Sequence, residues 1–174
     1  ILFITTYITK IKHMKKILIL TVMAVVAFSC GTPKTVIQAK KEVKGYWSLD
    51  NISYSESGTY NVTIFNDTSK ECFEGSTWRF IPNNNSGLYT VNNGNCPTGE
   101  RNFIFSIQEI DQSTGLYDFL LKPTMKLGKP DKDNSVGFRV RLAQLSENNM
   151  RWEQTVNLEG KPFTISMNFS KINE

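Results

Sequence analysis

The stretch "GYWSLDNISY", residues 45–54, has the composition of a β-strand, because it mixes aromatic and branched apolar residues with polar ones. It is the first of nine such runs, and several end at residues that favour turns, such as "NNNSG" at 83–87. Only "NDTSKECFEG", residues 66–75, is predicted to form a helical turn. The nine predicted strands are residues 45–54, 58–66, 76–82, 88–93, 101–110, 116–123, 136–145, 150–158 and 161–172.

Several runs alternate strictly between apolar and polar residues. Phe138, Val140 and Leu142 alternate with Arg139 and Arg141. A period of two with one apolar face predicts antiparallel strands that meet solvent on the other face, where we expect the two arginines. The alternative places the arginines inside, against an anionic head group. Short antiparallel strands with local connections form either a closed up-and-down barrel or a sandwich.

Gly45 and Trp47 favour the barrel over the sandwich. A Gly-x-Trp pattern in the first strand of such a meander resembles the lipocalin signature, and the chain from about residue 43 onward resembles the lipocalin-like domains of Gram-negative envelope lipoproteins. In that family the Trp closes one barrel end under a basic residue near the last strand. Lys171 matches that position, although lipocalins usually have Arg there. The resemblance implies an all-β, antiparallel up-and-down barrel of eight to nine strands over residues 43–174.

The segment "MKKILILTVMAVVAFSCG", residues 14–31, has two lysines followed by an apolar core. That core has about a dozen residues, whereas a membrane-spanning helix needs roughly 20 and a signal-peptide core about 7–15. The segment resembles a bacterial lipoprotein signal with the lipobox Ala27–Cys30, although Ala27 replaces the usual Leu. The resemblance implies that 14–29 are removed and that Cys30 is acylated. A secretory signal with an incidental cysteine and an uncleaved anchor are the alternatives.

The flanking segments complete the predicted organisation. Residues 1–13 are expected to lie upstream of the true start at Met14, and residues 30–42 are expected to form a flexible tether. In Gram-negative sorting, a lipidated cysteine without a following Asp goes to the outer membrane, and Gly31 follows Cys30 here. Since no acidic run follows Cys30, we expect a domain that faces the periplasm.

The charge distribution argues against a nucleic-acid partner. The whole chain has a net charge of +4, from 20 basic and 16 acidic residues. Residues 1–29 contain four of the lysines and no acidic residue, so the chain from Cys30 onward is neutral. A neutral domain lacks the basic footprint on which nucleic-acid binding depends.

Two cysteines, Cys72 and Cys96, remain once Cys30 is assigned to lipid. In a chain exported to an oxidising compartment, an even pair predicts a disulfide. A two-cysteine metal site is the alternative, but it needs further ligands, and the only histidine, His13, lies in the segment upstream of Met14. We therefore predict no metal and no cofactor. The stretch from Cys72 to residue 107 also resembles the lipoprotein family, in which two cysteines flank a Trp-bearing hairpin.

The sequence does not predict an enzyme. Without histidine in the mature region, general-base chemistry would depend on carboxylates, Lys or Tyr. Glu71 and Glu74 flank Cys72, and Asp131 and Asp133 lie in a polar loop, but neither pair has a neighbouring nucleophile or motif. We interpret both pairs as solvated loop charges, and carboxylate chemistry is the one catalytic class left open.

Two functions from different classes are consistent with these features. An eight-stranded barrel is just wide enough either to be filled by side chains or to hold one small ligand. The first hypothesis is a carrier of a small apolar or amphipathic ligand, and the second is a filled barrel that acts as a protein-interaction or envelope-structure module. For the carrier, the residues expected to line the ligand are Trp78, Phe103, Phe105, Tyr117, Phe119, Phe138, Val140 and Trp152.

Overall fold

A computed structural model describes residues 32–111, 116–130 and 136–172 of the chain. Residues 1–31, which include Cys30 and the whole predicted leader, lie outside the described residues, as do Asp131 and Asp133. Within the described part, no helix is long and apolar enough to cross a bilayer.

Short connections separate long strands along most of the described chain. The described residues form two α-helices, α1 (Lys34–Val43) and α2 (Lys70–Phe73), and a 3-10 turn at Pro82–Asn84. The strands are β1 (Gly45–Tyr54), β2 (Thr63–Ile64), β3 (Thr68–Ser69), β4 (Thr77–Ile81), β5 (Ser86–Val91), β6 (Gly99–Asp111), β7 (Leu116–Thr124), β8 (Phe138–Leu145), β9 (Asn149–Leu158) and β10 (Lys161–Ile172).

Eight of these strands form one closed antiparallel barrel. Each barrel strand pairs with the next one along the chain, and β1 closes the ring by pairing with β10 on one side and β4 on the other. The predicted all-β up-and-down barrel is therefore confirmed, with eight strands, and the sandwich is excluded. The two ends of the barrel differ. The closed end lies beside α1, where β1 begins, and the mouth lies where β5 ends and β6 begins.

The period of two in the sequence corresponds to the two faces of the barrel wall. In β8, Val140 and Leu142 are buried while Arg139 and Arg141 are exposed, as predicted. In β1 a β-bulge between Leu49 and Asn51 inserts one extra residue into the pairing with β10. Because an extra residue reverses the alternation, Leu49 before the bulge and Ile52 after it both face the interior.

Aromatic side chains fill the interior of the barrel. Phe105 and Phe119 stack with ring centroids 4.9 Å apart, and Trp152 lies 4.9 Å from Phe119. Close packing of this kind is characteristic of a protein core rather than of an open calyx. Of the eight residues predicted to line a ligand, Tyr117 and Phe138 are half-buried, and the other six are fully buried in this core: Trp78, Phe103, Phe105, Phe119, Val140 and Trp152.

Gly87 shows how tightly the wall packs against these rings. It pairs with Phe80 on one side and Phe103 on the other. A Cβ atom at this position would overlap the Phe103 ring and the carbonyl oxygen of Arg79. Because glycine has no side chain, the ring of Phe103 in the neighbouring strand β6 can pack directly against the backbone of Gly87.

The prediction of a barrel strand at residues 58–66 was wrong. Only Thr63–Ile64 of this run forms a strand, and it pairs with Thr68–Ser69 in a two-stranded hairpin outside the barrel sheet. The apolar residues of the run serve another purpose, because Ile64 and Phe65 are buried against the barrel core. We call the connection from β1 to β4, residues 55–76, the plug segment. It contains α2, which confirms the helical turn predicted at 66–75.

The flexible tether predicted at residues 30–42 was also wrong from residue 34 onward, because α1 begins at Lys34. Val36, Ala39 and Val43 are buried, and their spacing places them on one helical face. The helix belongs to the same compact unit as the barrel, Lys34–Glu174. The missed signal was this apolar spacing within a segment whose average composition is polar.

Candidate functional site at the barrel mouth

At the closed end, the three residues predicted as a barrel-closing group lie together. The ammonium of Lys171 is 5.0 Å from the centre of the Trp47 ring, and Gly45 lies beside the Lys171 chain. Gly45 has a φ of 110°, a conformation that favours glycine. Trp47 Nε1 donates to the carbonyl oxygen of Val43 at 2.8 Å. Lys171 Nζ donates to the carbonyl of Glu42 at 2.8 Å, so both side chains satisfy carbonyls at the end of α1.

The mouth of the barrel contains a pocket of about 450 Å³. The plug segment forms one side of it, β5 and β6 form the second, and the end of β7 with the start of β8 forms the third. Pockets of about 300–1,000 Å³ with an apolar surface and a few polar groups are typical of small-molecule sites. The described lining residues are Phe65, Asn66, Asp67, Tyr89, Glu100, Arg101, Asn102, Pro123, Thr124, Met125, Val136 and Phe138.

A charged network forms the polar side of this mouth pocket. Asp67 accepts a hydrogen bond from the Tyr89 hydroxyl at 2.8 Å and pairs with Arg101 Nε at 2.9 Å. Burial raises the pKa of Tyr89 well above its usual range, and the hydrogen bond to Asp67 and the negative charge of Asp67 add to the shift. Arg101 also donates to the carbonyls of Gly99 and Pro97. The network is therefore largely neutralised within the protein.

Phe65 forms the apolar base of the mouth pocket. Its ring is only 4% exposed and contacts the core rings of Trp78 and Trp152, with centroids 6.2 and 6.5 Å away. It also lies 5.2 Å from the ring of Phe138, which lines the same pocket. Phe65, a residue of the plug segment, thus belongs both to the pocket floor and to the barrel core.

A disulfide holds the plug segment to the barrel. Cys72 in α2 is bonded to Cys96 in the β5–β6 connection, with Cα atoms 5.7 Å apart. The predicted disulfide is confirmed, and the alternative of a metal site on these two cysteines is excluded. Asn93 Nδ2 adds a hydrogen bond to the carbonyl of Glu71 at 3.3 Å. The neighbouring Phe73 is completely buried, so the α2 end of the segment is firmly anchored.

The mouth pocket contains only one of the eight residues that the sequence analysis assigned to ligand lining, Phe138. The other seven do not line it. Sequence reasoning missed its polar residues, Asp67, Tyr89 and Arg101, because the plug segment brings together positions that are far apart in the chain. The available signal was the turn composition of Asn66 and Asp67 directly after an apolar pair.

The two glutamates that flank Cys72 contact neighbouring groups of the fold. Glu74 Oε1 accepts a hydrogen bond from the backbone N–H of Ile52 at 2.7 Å and lies 3.7 Å from Lys70 Nζ. A hydrogen bond from the Ser69 side chain lowers the pKa of Glu71 below its ordinary value. The hydrogen bond from Ser69 favours the ionised form of the Glu71 carboxylate.

The two arginines of β8 lie on the outer wall, away from the mouth pocket. Arg139 pairs with Asp118, and Arg141 lies 3.7 Å from Glu153. Their side chains are 62% and 52% exposed. Exposed ion pairs of this kind contribute about 0–1 kcal/mol to stability, so these two pairs add little to the stability of the fold.

Comparison with known proteins gives one structural similarity. No protein-family model matches the chain, and no curated protein matches it. The crystal structure of a lipocalin-like protein from Bacteroides uniformis ATCC 8492 is similar over 75% of this chain and 99% of that one, with 13% sequence identity and a TM-score of 0.46. The fold assignment rests on the strand order of the barrel itself. A closed, eight-stranded up-and-down barrel is the lipocalin architecture, and the chain is lipocalin-like in fold.

Proposed function

We propose that the protein is a lipid-anchored, lipocalin-like binding protein that holds one small apolar or amphipathic molecule at the periplasmic face of the outer membrane. The observation that carries this proposal is the mouth pocket, which combines an apolar base with a polar side where Asp67 and Arg101 form an ion pair. The proposed role is binding rather than catalysis, because Asp67 of the pocket is held in an ion pair with Arg101, and Glu71 and Glu74 accept structural hydrogen bonds.

The chemistry of the pocket favours a ligand with a neutral head group. Asp67 and Arg101 balance each other, so their ion pair offers little uncompensated charge to a ligand, and the Glu100 carboxylate in the same lining disfavours an anionic head group. The amide of Asn102 and the hydroxyl of Thr124 lie in the same lining. The Asn102 amide can donate and accept hydrogen bonds, and the Thr124 hydroxyl, which donates to the carbonyl of Lys126 at 3.1 Å, can still accept one, which suits an alcohol or amide head group.

The filled interior determines where the ligand binds. Because Trp78, Phe119 and Trp152 occupy the barrel core, a ligand would enter only the outer part of the barrel. The pocket volume of about 450 Å³ limits the ligand to a small molecule rather than a complete phospholipid.

Two matched tryptophan substitutions test the pocket. Val136 lines it with 46% exposure, whereas Val156 has 38% exposure and does not line it. Native mass spectrometry would be run on the wild-type protein and both variants purified from their native envelope, before and after extraction with organic solvent. We expect the wild type and Val156→Trp to carry a stoichiometric extra mass that extraction removes, and Val136→Trp to carry at most a tenth of it. A covalent lipid on Cys30 would survive extraction and is thereby distinguished.

Two outcomes of this experiment would contradict the proposal. A bare polypeptide mass for the wild type at both steps would exclude a resident ligand. An extra mass retained equally by Val136→Trp and Val156→Trp would place the ligand outside the mouth pocket.

Membrane attachment is the second part of the proposal, and it depends on Cys30. Only residues 31–33 separate Cys30 from the start of α1, so an acylated Cys30 would hold the barrel close to the bilayer. We expect Cys30→Ser to move the protein from the membrane fraction to the soluble fraction or to leave it unprocessed. Normal attachment of this variant would contradict the anchor.

Protease treatment of whole cells should leave the domain intact, and its degradation would contradict the periplasmic orientation.

A second function, binding of another protein by a filled barrel, is favoured by one specific observation. The inner-facing rings pack against each other as in a solid core. In this case the loops at the mouth would provide the binding surface. Cross-linking in cells from a photoreactive residue at Met125, which is 86% exposed, should then capture one defined partner, and the wild type should show no removable mass.

A further inference from the structure

The turn at the tip of the plug segment has an unusual backbone for its sequence. Phe65 and Asn66 have φ values of 52° and 55°, and the turn is closed by a hydrogen bond from Asp67 N to Ile64 O at 3.0 Å. Left-handed conformations are common for Gly and tolerated by Asn, but they crowd the Cβ of a bulky residue. A phenylalanine in this turn is therefore disfavoured by its own backbone.

The side chain of Phe65 accounts for the presence of this residue in the turn. Its ring is buried edge-on against Phe73, Trp78, Phe138 and Trp152, with centroid distances between 5.2 and 6.5 Å. A strained backbone persists only where the surrounding structure holds it in place. Here the burial of the ring holds the turn, and the strain of the turn opposes that burial.

The two ends of the plug segment are held to the barrel in different ways. The α2 end has the disulfide and the completely buried Phe73. The tip is held, besides the Phe65 ring and Ile64, by the network of Asp67 with Arg101 and Tyr89. An outward movement of the tip therefore needs no movement of α2, because the disulfide can act as a fixed point about which the hairpin of β2 and β3 turns.

We propose that Phe65 is a displaceable plug, whose ring occupies the space that the flat apolar group of the ligand takes when it binds. This inference rests on the proposed function and deepens it by naming the ligand class: a neutral molecule with one ring about the size of phenyl beneath a polar head. A ring that replaces the Phe65 ring regains the contacts with Trp78 and Trp152. The turn then relaxes from its left-handed conformation, and the polar head meets Asn102 and Thr124 at the rim.

This exchange predicts how affinity depends on Phe65. When a ligand binds only the displaced state, its apparent affinity is reduced by the fraction of molecules in that state. Removing the ring of Phe65 removes this competition, so the ligand should bind more tightly to Phe65→Gly than to the wild type. A linear ligand of equal carbon number lacks the flat shape of the ring, so Phe65→Gly should increase its affinity much less.

The test compares 4-phenylbutan-1-ol with decan-1-ol, two neutral ten-carbon alcohols that differ in the ring. Binding to the full chain in phospholipid nanodiscs is measured by fluorescence of the tryptophans, with empty nanodiscs as the blank. We expect the wild type to bind 4-phenylbutan-1-ol at least tenfold more tightly than decan-1-ol. Phe65→Gly should bind the phenyl compound a further tenfold more tightly. Glu159→Gly is the matched control, because Glu159 also has a left-handed φ of 52° but an exposed side chain.

An unchanged or weaker affinity of Phe65→Gly for 4-phenylbutan-1-ol would overturn the plug, because the ring would then be a fixed part of the wall. If Phe65→Gly does not fold, ¹⁹F NMR of the otherwise wild-type protein with 4-fluorophenylalanine at position 65 tests the plug instead. At saturating 4-phenylbutan-1-ol, the ¹⁹F chemical shift should move to the value of a solvent-exposed ring. An unchanged chemical shift in the ligand-bound protein would also overturn the plug. The Val136→Trp experiment tests the pocket independently, so failure of the plug and failure of the proposed function are distinguishable.

Discussion

Trp78→Ala is expected to lower the free energy of unfolding by about 3–5 kcal/mol, the range observed when large aromatic side chains are removed from a core. Trp78 is completely buried in β4, and its ring lies at the centre of the aromatic interior. The nearest ring is that of Tyr89, at a centroid distance of 4.4 Å. Around it, at 5.6–6.3 Å, lie the rings of Phe65, Phe73, Phe80, Phe103, Trp152 and Phe169.

Two further effects add to the loss of these contacts. The indole Nε1 of Trp78 donates to Ser76 Oγ at 2.9 Å, and Ser76 is completely buried. Removal of the indole leaves this hydroxyl without its donor, which costs about 1–3 kcal/mol if water cannot reach it. The cavity also lies directly behind the plug segment, since both Phe65 and Phe73 rest on Trp78. The substitution should therefore loosen the mouth as well as the core.

Equilibrium denaturation in urea measures this loss, with Tyr46→Ala as the control. Tyr46 is the residue before Trp47 in β1 and pairs with Arg79, but its ring lies on the outer face, 5.1 Å from the Arg79 guanidinium. We expect Tyr46→Ala to cost about 1 kcal/mol or less, as is usual for partly exposed sites. Equal losses for the two variants would show that Trp78 is not the centre of the core.

The barrel could be predicted from sequence because its signals are local. Alternation with a period of two is visible within one strand, as in Phe138–Leu142, and the turns between strands are short and rich in Asn and Gly. The Gly-x-Trp pattern at Gly45 and Trp47 then favoured the barrel over a sandwich by resemblance. The disulfide followed from an even cysteine pair. Each of these inferences needs only neighbouring residues or a simple count.

The mouth pocket could not be predicted in the same way, because its residues meet only through tertiary structure. Asp67 and Arg101 are 34 positions apart, and their ion pair depends on how the plug segment folds back over the barrel. The run at 58–66 has the composition of a strand, but the barrel ring closes without it. Its apolar residues are buried in the plug segment instead of forming a ninth strand. Tertiary packing, rather than local β-propensity, determines this outcome.

Helix α1, at the closed end of the barrel, is a second element that could not be predicted from local sequence. Its sequence, "KTVIQAKKEV", is polar on average, and an isolated helix of this length is marginal in water. Packing of Val36, Ala39 and Val43 on the barrel supplies the missing stability, and Trp47 and Lys171 satisfy its last carbonyls. The partners that make this segment helical are far away in sequence, so composition alone favoured a tether.

The double substitution Cys72→Ser with Cys96→Ser is expected to lower the free energy of unfolding by about 3–4 kcal/mol. The two cysteines are separated by 24 positions, and the chain-entropy model assigns a stabilisation of this size to a loop of that length. In a domain whose total stability is about 5–15 kcal/mol, this loss is large. Chemical denaturation of the double variant and of the wild type, each with and without a reducing agent, measures it.

The location of the disulfide makes the expected effect uneven across the molecule. Cys72 joins α2 to the β5–β6 connection, so its loss frees the anchored end of the plug segment, while β7 to β10 keep their pairing. Hydrogen exchange in the double variant should therefore increase most in residues 63–75 and least in β9 and β10. The reduced wild type should match the double variant. A loss below about 1 kcal/mol would show that hydrophobic burial of Phe73 and Ile64 holds the plug segment without the covalent bond. Exchange that increases equally throughout the barrel would contradict a local effect, because the disulfide would then stabilise the whole domain.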